Sequence, residues 1–124
     1  SMLRPRGARL CVVSSIWQER ARQNKLSYTM TKAAVGGLVR SASADLGADG
    51  HLINAVLPGV LDTPMTRAAL SEEQIAATQG ATLFDALPTP QAVASTIVFL
   101  SSRNTSTTGQ SIAVDLGFSH VRIV

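Results

Sequence analysis

Cysteine, aromatic residues and charged residues are all scarce in this sequence. One cysteine, Cys11, occurs among 124 residues, so the chain cannot form an internal disulfide. Aromatic residues make up 4% of the chain and charged residues 15%, whereas hydrophobic residues make up 45%. This balance argues against disorder and favours a single well-buried domain over residues 1–124. Because Cys11 lies in the apolar run Leu10-Cys11-Val12-Val13, we expect a small core residue and not a reactive thiol.

Long apolar runs and clustered metal ligands are also missing. No apolar run approaches the roughly 20 residues that cross a bilayer, and Arg4, Arg6 and Arg9 interrupt any signal-like stretch at the start. We therefore expect a cytoplasmic protein without a membrane partner. His51 and His120 are far apart, so no metal site is predicted. The net charge is +3, but no aromatic residues are interleaved with the basic ones, so we expect no nucleic-acid partner.

Short apolar runs alternate with helical segments along the chain. The predicted strands are 9–15, 51–57 and 111–115, and the predicted helices are 27–46, 89–102 and two short ones beginning at Pro64 and Ser71. Residues 78–88 have the composition of a loop. Strands that alternate with helices form parallel sheets through right-handed crossovers. The order predicts an α/β protein: part of a Rossmann-like, doubly wound fold with about three parallel strands and flanking helices.

A phenol, an ammonium and a hydroxyl occur close together in the sequence. Tyr28 and Lys32 are four residues apart near the start of the predicted long helix, and Ser15 precedes Tyr28 by thirteen residues. Residues at this spacing are neighbours on a helix, and a neighbouring cation stabilises a phenolate. A serine from the adjacent loop would hold a substrate oxygen while the tyrosine transfers a proton. The pattern predicts acid–base chemistry at an alcohol or carbonyl.

Four motifs, in this order, resemble the short-chain dehydrogenase/reductase family over essentially the whole chain. Val12-Val13-Ser14-Ser15 is similar to the strand that ends in the family's active-site serine, and Tyr28-Thr29-Met30-Thr31-Lys32 is similar to its Tyr-x-x-x-Lys motif. The segment 54–64 resembles its Asn-x-x-x-Pro-Gly-x-x-x-Thr-Pro pattern, and the segment 108–115 resembles its last strand. The resemblance implies that the three predicted strands correspond to the family's strands 5, 6 and 7.

The resemblance also implies a role for each motif residue. Tyr28 would be the catalytic acid/base, Lys32 would hold the nicotinamide ribose, and Ser15 would orient the substrate oxygen, with Ser14 as the alternative serine. The further residues that would line the nicotinamide end of NAD or NADP are Pro58, Gly59, Val60 and Thr63.

The substrate side is less defined by the sequence. Ile16 and Trp17 are candidates for a substrate pocket, with packing in the core as the alternative. By the same resemblance, residues 64–88 would form a mobile lid over a small alcohol or carbonyl compound.

The sequence departs from the family by lacking the features of its first half. No Gly-rich loop follows a strand, so the contacts that hold a dinucleotide diphosphate are missing. We therefore expect this chain alone to bind no dinucleotide. Without its neighbour, strand 9–15 would be an open edge, and we expect a homo-oligomer formed through that edge or through helix 27–46. A smaller departure is Leu116, which stands where the family usually has glycine.

Two functions are consistent with these features. The first is the C-terminal catalytic half of an NAD(P)-dependent oxidoreductase that is inactive alone. The second is a non-catalytic, half-length oligomerisation or interaction module derived from the same family. The intact set of Ser15, Tyr28 and Lys32 favours the first function, and the missing Gly-rich loop favours the second.

Overall fold

The computed structural model describes residues 7–122, which form three strands and a series of helices. The strands are β1 (Arg9–Val13), β2 (Leu52–Pro58) and β3 (Ser111–Val114), and the helices are α1 (Leu26–Leu46), α2 (Pro64–Ala69), α3 (Glu72–Gly80) and α4 (Pro90–Val98). A 3-10 turn (Ile16–Gln18) follows β1, and a π-helical segment (Phe99–Arg103) continues α4. Residues 1–6 and 123–124 lie outside the described residues. The first range includes Arg4 and Arg6, two of the arginines that interrupt a signal-like stretch.

The three strands form one parallel sheet in the order β1-β2-β3. Cys11 of β1 is opposite Asn54 of β2, and Val56 of β2 is opposite Ile112 of β3. The prediction of an α/β, Rossmann-like fold with three parallel strands is confirmed. β2 is the central strand, and residues 53–57 within it are all buried.

Side chains of β2 alternate between two separate cores because successive residues of a strand point to opposite faces. Ile53, Ala55 and Leu57 pack on one face with Ile16 and with Val39 of α1. On the other face, Val56 packs with Val93 of α4 and with Leu100. The helices therefore cover both faces of the sheet, as the near-continuous apolar sequence of β2 requires.

The ends of several elements differ from the sequence prediction. β1 ends at Val13 and not at residue 15, because Ser15 turns the chain into the 3-10 turn and caps it. α3 extends to Gly80, into the stretch predicted as loop. By contrast, α1 ends at Leu46, as predicted, and a further 3-10 turn (Gly47–Asp49) follows it and ends at Gly50, whose φ of 79° is left-handed. A short-range pattern marks these boundaries poorly because helix ends adjust to the packing around them.

The small residues of α1 have different surroundings from one another. A Cβ atom on Gly36 would lie 3.1 Å from Nε2 of Gln18, so this glycine allows close packing within the chain. At Gly37, a Cβ atom would meet nothing within 4 Å, and Ala33 and Ala44 are exposed. The predicted homo-oligomer through helix 27–46 stays a prediction.

β1 forms one edge of the sheet, and no other described strand pairs with its outer side. Leu10 and Val13 of β1 are 43% and 55% exposed. Cys11 is half-buried rather than fully enclosed, and burial raises the pKa of its thiol. A raised pKa keeps the thiol neutral and unreactive at neutral pH.

Two buried asparagines hold the loop before β3, one from the central strand and one from within the loop. Asn54, which is fully buried, donates from Nδ2 to the Thr107 carbonyl (2.9 Å) and accepts from the Gln110 amide (3.1 Å). Asn104, 1% exposed, accepts from the Thr107 amide (2.8 Å) and donates to its carbonyl (2.7 Å). Buried polar groups need hydrogen-bond partners. The two asparagine side chains find them in backbone groups of Thr107 and Gln110, and so fix this loop.

We expect Asn54→Ala to destabilise the fold by about 1–3 kcal/mol, because it removes two hydrogen bonds of a fully buried side chain and leaves the Gln110 amide without its partner. The measurement is the free energy of unfolding in urea. Thr105→Ala is the matched control, since Thr105 is an exposed residue of the same loop, and should change the stability by less than about 0.5 kcal/mol. Equal effects of the two substitutions would contradict this account of Asn54.

Candidate active site

The carboxyl ends of the strands lie at one edge of the sheet because all three strands are parallel. Ser15 follows β1 at this edge, and Gly59 follows β2. α1 begins beyond the loop that leaves the same edge, so Tyr28 and Lys32, in its first two turns, belong to this end of the fold. Open α/β sheets bind their ligands outside the carboxyl ends of the strands.

Ser15 is held by the turn that it caps. Its Oγ accepts a hydrogen bond from the Trp17 amide (3.2 Å), and among the described residues its hydroxyl donates to none. A serine hydroxyl has one donor and two acceptor sites, so its O–H is left to donate to a ligand. Ser14 is different, since its side chain is buried and its amide donates to the Val56 carbonyl (2.8 Å). This geometry favours Ser15 over Ser14 for contact with a substrate.

Tyr28 and Lys32 are in contact, as their spacing on the helix predicts. The Lys32 ammonium lies 5.7 Å from the centroid of the Tyr28 ring, within the range of a cation–π interaction. Tyr28 is 40% exposed, and no hydrogen bond within residues 7–122 engages its hydroxyl or the Lys32 ammonium. Both polar groups are therefore available to a ligand at the surface of this edge.

The loop after β2 is fixed by close packing against the end of β3. The Gly59 amide donates to the Val114 carbonyl (3.0 Å), and a Cβ atom on Gly59 would lie 2.8 Å from the Cβ atom of Asp115. Asp115 accepts from the amides of Gly117 and Ser119 through its two oxygens. Gly59 thus has a packing role in addition to the cofactor contact predicted for it.

Thr63, predicted to contact a cofactor, begins α2. Its Oγ1 accepts from the Thr66 amide (3.2 Å) and donates to the Thr66 hydroxyl (3.1 Å), so one acceptor site remains for a ligand. Beside it, Asp62 forms an ion pair with Arg67 (3.0 Å). The hydrogen bond from the guanidinium lowers the pKa of the Asp62 carboxyl.

A cleft of about 460 Å³ lies beside this edge, beneath α2 and α3. Its lining is mostly apolar, and Trp17 lies in its wall with its ring edge-on to Phe118, the two ring centroids being 6.5 Å apart. The other large apolar lining residues are Val60, Met65 and Leu70. A separate cleft of about 880 Å³ is lined by the loop and helix start at residues 21–29, which include Tyr28. The first cleft has the size and the apolar lining that are typical of small-molecule sites, whereas most of the residues that line the second are polar.

The structure separates the two residues predicted for the substrate pocket. Trp17 lines the cleft, whereas Ile16 is 1% exposed and packs in the core against Val39 and Leu57. The pocket prediction for Ile16 is therefore corrected to core packing, because the 3-10 turn directs adjacent side chains to different sides. Phe118 and Arg22 line the cleft but were not predicted, since their places depend on contacts between distant segments.

Neither a metal cluster nor a membrane-spanning helix occurs in the part of the chain that the structure describes. Within residues 7–122, no group of three His, Cys, Asp or Glu side chains is placed to hold a metal ion. In the same range, no helix has both the length and the apolar character that a membrane crossing needs.

Known proteins are similar to this chain over most of its length. The family model described as enoyl-(acyl carrier protein) reductase matches residues 1–119. A cis-4-hydroxycyclohexanecarboxylate dehydrogenase of Sinomonas cyclohexanicum is 38% identical over 88% of this chain and 44% of its own length. A 3-oxoacyl-[acyl-carrier-protein] reductase of Vibrio harveyi is 32% identical over 94% of this chain and 48% of its own length. The chain spans about half the length of these relatives.

Solved structures agree in fold and in coverage. A protein of Agrobacterium tumefaciens, described as a candidate gluconate dehydrogenase, superposes with a TM-score of 0.86 at 31% identity, over 98% of this chain and 49% of that chain. A 7α-hydroxysteroid dehydrogenase, solved with NADH and 7-oxo glycochenodeoxycholic acid, superposes with a TM-score of 0.79 at 27% identity, over 86% and 42%. The similarity is therefore to one half of each longer chain.

We expect Thr63→Ala to loosen the first turn of α2 without unfolding the protein. Loss of the cap costs about 1 kcal/mol locally, so the Thr66 amide should exchange with solvent about fivefold faster. Hydrogen exchange followed by NMR measures this rate directly. Thr63→Ser keeps the accepting oxygen and should preserve the slow exchange; equally fast exchange in both variants would contradict the capping role.

Proposed function

The chain belongs to the short-chain dehydrogenase/reductase family, and on that premise we propose that it is the C-terminal catalytic half of an NAD(P)-dependent oxidoreductase. The reaction would interconvert an alcohol and a carbonyl group on a small molecule. The observation that carries the proposal is the contact between Tyr28 and Lys32 at the same sheet edge as the free hydroxyl of Ser15. Beside that edge lies an apolar cleft lined by Trp17.

The residues divide the chemistry between them. In the direction of reduction, the Ser15 hydroxyl donates a hydrogen bond to the carbonyl oxygen, which polarises the carbon–oxygen bond. The Tyr28 phenol gives its proton to the same oxygen as negative charge develops there. The Lys32 ammonium stabilises the phenolate that remains. In the direction of oxidation, the phenolate takes the proton back from the alcohol.

The nicotinamide end of a dinucleotide has suitable neighbours in this chain. When bound, the reduced dinucleotide would supply the hydride for reduction, and the oxidised form would accept it in the reverse direction. Lys32 has no acidic partner within residues 7–122, so its donors are free for ribose hydroxyls. Pro58, Gly59 and Val60 continue the central strand at its carboxyl end, and Thr63 keeps one acceptor site. The diphosphate contacts, by contrast, must come from outside this sequence, which has no Gly-rich loop.

We expect the chain alone to show no NADH binding in a fluorescence titration, because the residues that hold the diphosphate and adenosine are absent. The same expectation applies to NADPH. Micromolar affinity for either dinucleotide would contradict the prediction. The fluorescence of the nicotinamide provides the signal, and a full-length relative provides the positive control.

We expect the chain to become an active oxidoreductase when it is joined to the first half of a full-length relative. Turnover is followed by NADH absorbance with a panel of alcohols and carbonyl compounds. Tyr28→Phe should lower kcat about 100-fold or more, since general acid–base catalysis contributes this much. Thr31→Ala, an exposed change one turn along α1, should leave kcat within about twofold. Full activity of the phenylalanine variant would refute the assignment of Tyr28.

A second function is favoured by the open side of the sheet. The outer edge of β1 is unpaired within the described residues, and Leu10 and Val13 beside it are exposed. Exposed apolar edge strands tend to pair with another chain. A non-catalytic module that assembles with itself or completes a partner's sheet would use this edge, whereas helix α1 offers the small-residue face of Ala33 and Gly37.

We expect self-association of the chain at tens of micromolar in sedimentation velocity, and Val13→Lys should weaken it because a charge on an edge strand opposes pairing. Phe84→Lys is the control, since Phe84 is 70% exposed but lies far along the chain in a loop. A monomer at this concentration would remove the support for the module. A stable 13.0 kDa species in the source organism would favour it over a catalytic half.

A further inference from the structure

Arg22 lines the two clefts at this end of the fold. It lies in the wall of the 460 Å³ apolar cleft and also in the wall of the 880 Å³ cleft that contains Tyr28. Its guanidinium stacks over the Trp17 ring, with the central carbon 4.7 Å from the ring centroid. Arg22 is therefore shared by the cleft that Tyr28 lines and by the apolar cleft.

Arg22 is the only charged side chain among the described lining of the apolar cleft. Within residues 7–122 it has no carboxylate partner, whereas some of the other arginines have acceptors. Arg67 pairs with Asp62, and Arg9 donates to the Asn104 carbonyl. Stacking on an aromatic ring occupies the face of a guanidinium and leaves the N–H donors at its edge unused. Those donors lie in the plane of the guanidinium, where a carboxylate can accept two parallel hydrogen bonds.

We propose that the substrate of this site is an oxo or hydroxy acid: a compound with an apolar ring or chain, one carboxylate, and the alcohol or carbonyl that reacts. The apolar part lies against Trp17 and Phe118, and the carboxylate is bound by Arg22. The inference rests on the proposed oxidoreductase function and names the substrate class of that same site. It makes Arg22 the residue that sets specificity for acids over neutral alcohols and ketones.

The apolar surroundings decide between a carboxylate and other anions. A phosphate group needs several donors, such as a cluster of basic residues or a run of backbone amides. The cleft offers one charged donor, Arg22, and the neutral side chains of Thr66, Gln74 and Thr78; its other lining residues are apolar. A neutral substrate would leave the guanidinium without an anion, whereas an acid adds a charge-assisted pair to the apolar contact. The lining therefore fits a hydrophobic acid better than either a phosphate ester or an uncharged alcohol.

Trp17 reports on this binding directly because it is the only tryptophan in the sequence. The chain is titrated with 4-cyclohexyl-4-oxobutanoate and, separately, with its primary amide, which has nearly the same shape but no charge. We expect both ligands to change the Trp17 fluorescence saturably, and the acid to bind about tenfold more tightly. No turnover and no dinucleotide are needed.

The ratio of the two affinities is then compared among variants. Arg22→Gln should reduce the ratio to about one, because the amide side chain carries no charge, and Arg22→Lys should restore part of it. Arg103→Gln removes one positive charge from the far segment after α4 and should leave the ratio unchanged. Using a ratio within each variant cancels the change in Trp17 emission that loss of the stacked guanidinium causes.

The inference would be overturned by equal binding of acid and amide by the unmodified chain, by an unchanged ratio in Arg22→Gln, or by no saturable response to either ligand. Inorganic phosphate that competes as well as the acid would also overturn it, since the site would then select any anion. Each result leaves the role of Tyr28 untouched, because binding is measured without the reaction. Conversely, an active Tyr28→Phe variant would refute the catalytic assignment and leave the selectivity of Arg22 standing.

Discussion

The central strand β2 is hydrogen-bonded to a parallel strand on each side, and the placement of every site residue depends on this pairing. Parallel pairing brings the carboxyl ends of the strands to one edge, so segments that are far apart in sequence meet there. It also buries both faces of β2, so that α1 must pack on one face and α4 on the other. The position of Tyr28 relative to Ser15 follows from how α1 packs on that strand.

Polar contacts at the ends of the sheet keep this edge in place. Asn54 joins β2 to the loop before β3, and Gly59 allows the loop after β2 to lie against Asp115. A left-handed backbone at Leu116, with φ 54°, follows the same aspartate at a position where the resemblance leads one to expect glycine. Non-glycine residues adopt this conformation at a cost, so packing around the end of β3 must compensate for it.

The two clefts connect the chemistry to recognition. The proposed proton transfer involves few groups. Tyr28 would donate the proton, Lys32 is the cation beside it, and the Ser15 hydroxyl would bind the substrate oxygen. Recognition depends on a larger surface, to which the turn after β1, the segment after β2 and the segment after β3 all contribute. Arg22 lines both clefts, and its charge among mostly apolar side chains is the feature from which we infer a preference for acids.

The sequence alone determined the fold class, the order of strands and helices, the Thr89 and Ser71 helix starts, and the contact of Tyr28 with Lys32. These follow from local periodicity, caps and spacing within one helix, which act over a few residues. Only the tertiary structure decided that Ile16 enters the core while Trp17 lines the cleft, and that Phe118 and Arg22 join it. Those placements depend on which surfaces of distant segments pack together, and no local pattern of residues encodes that.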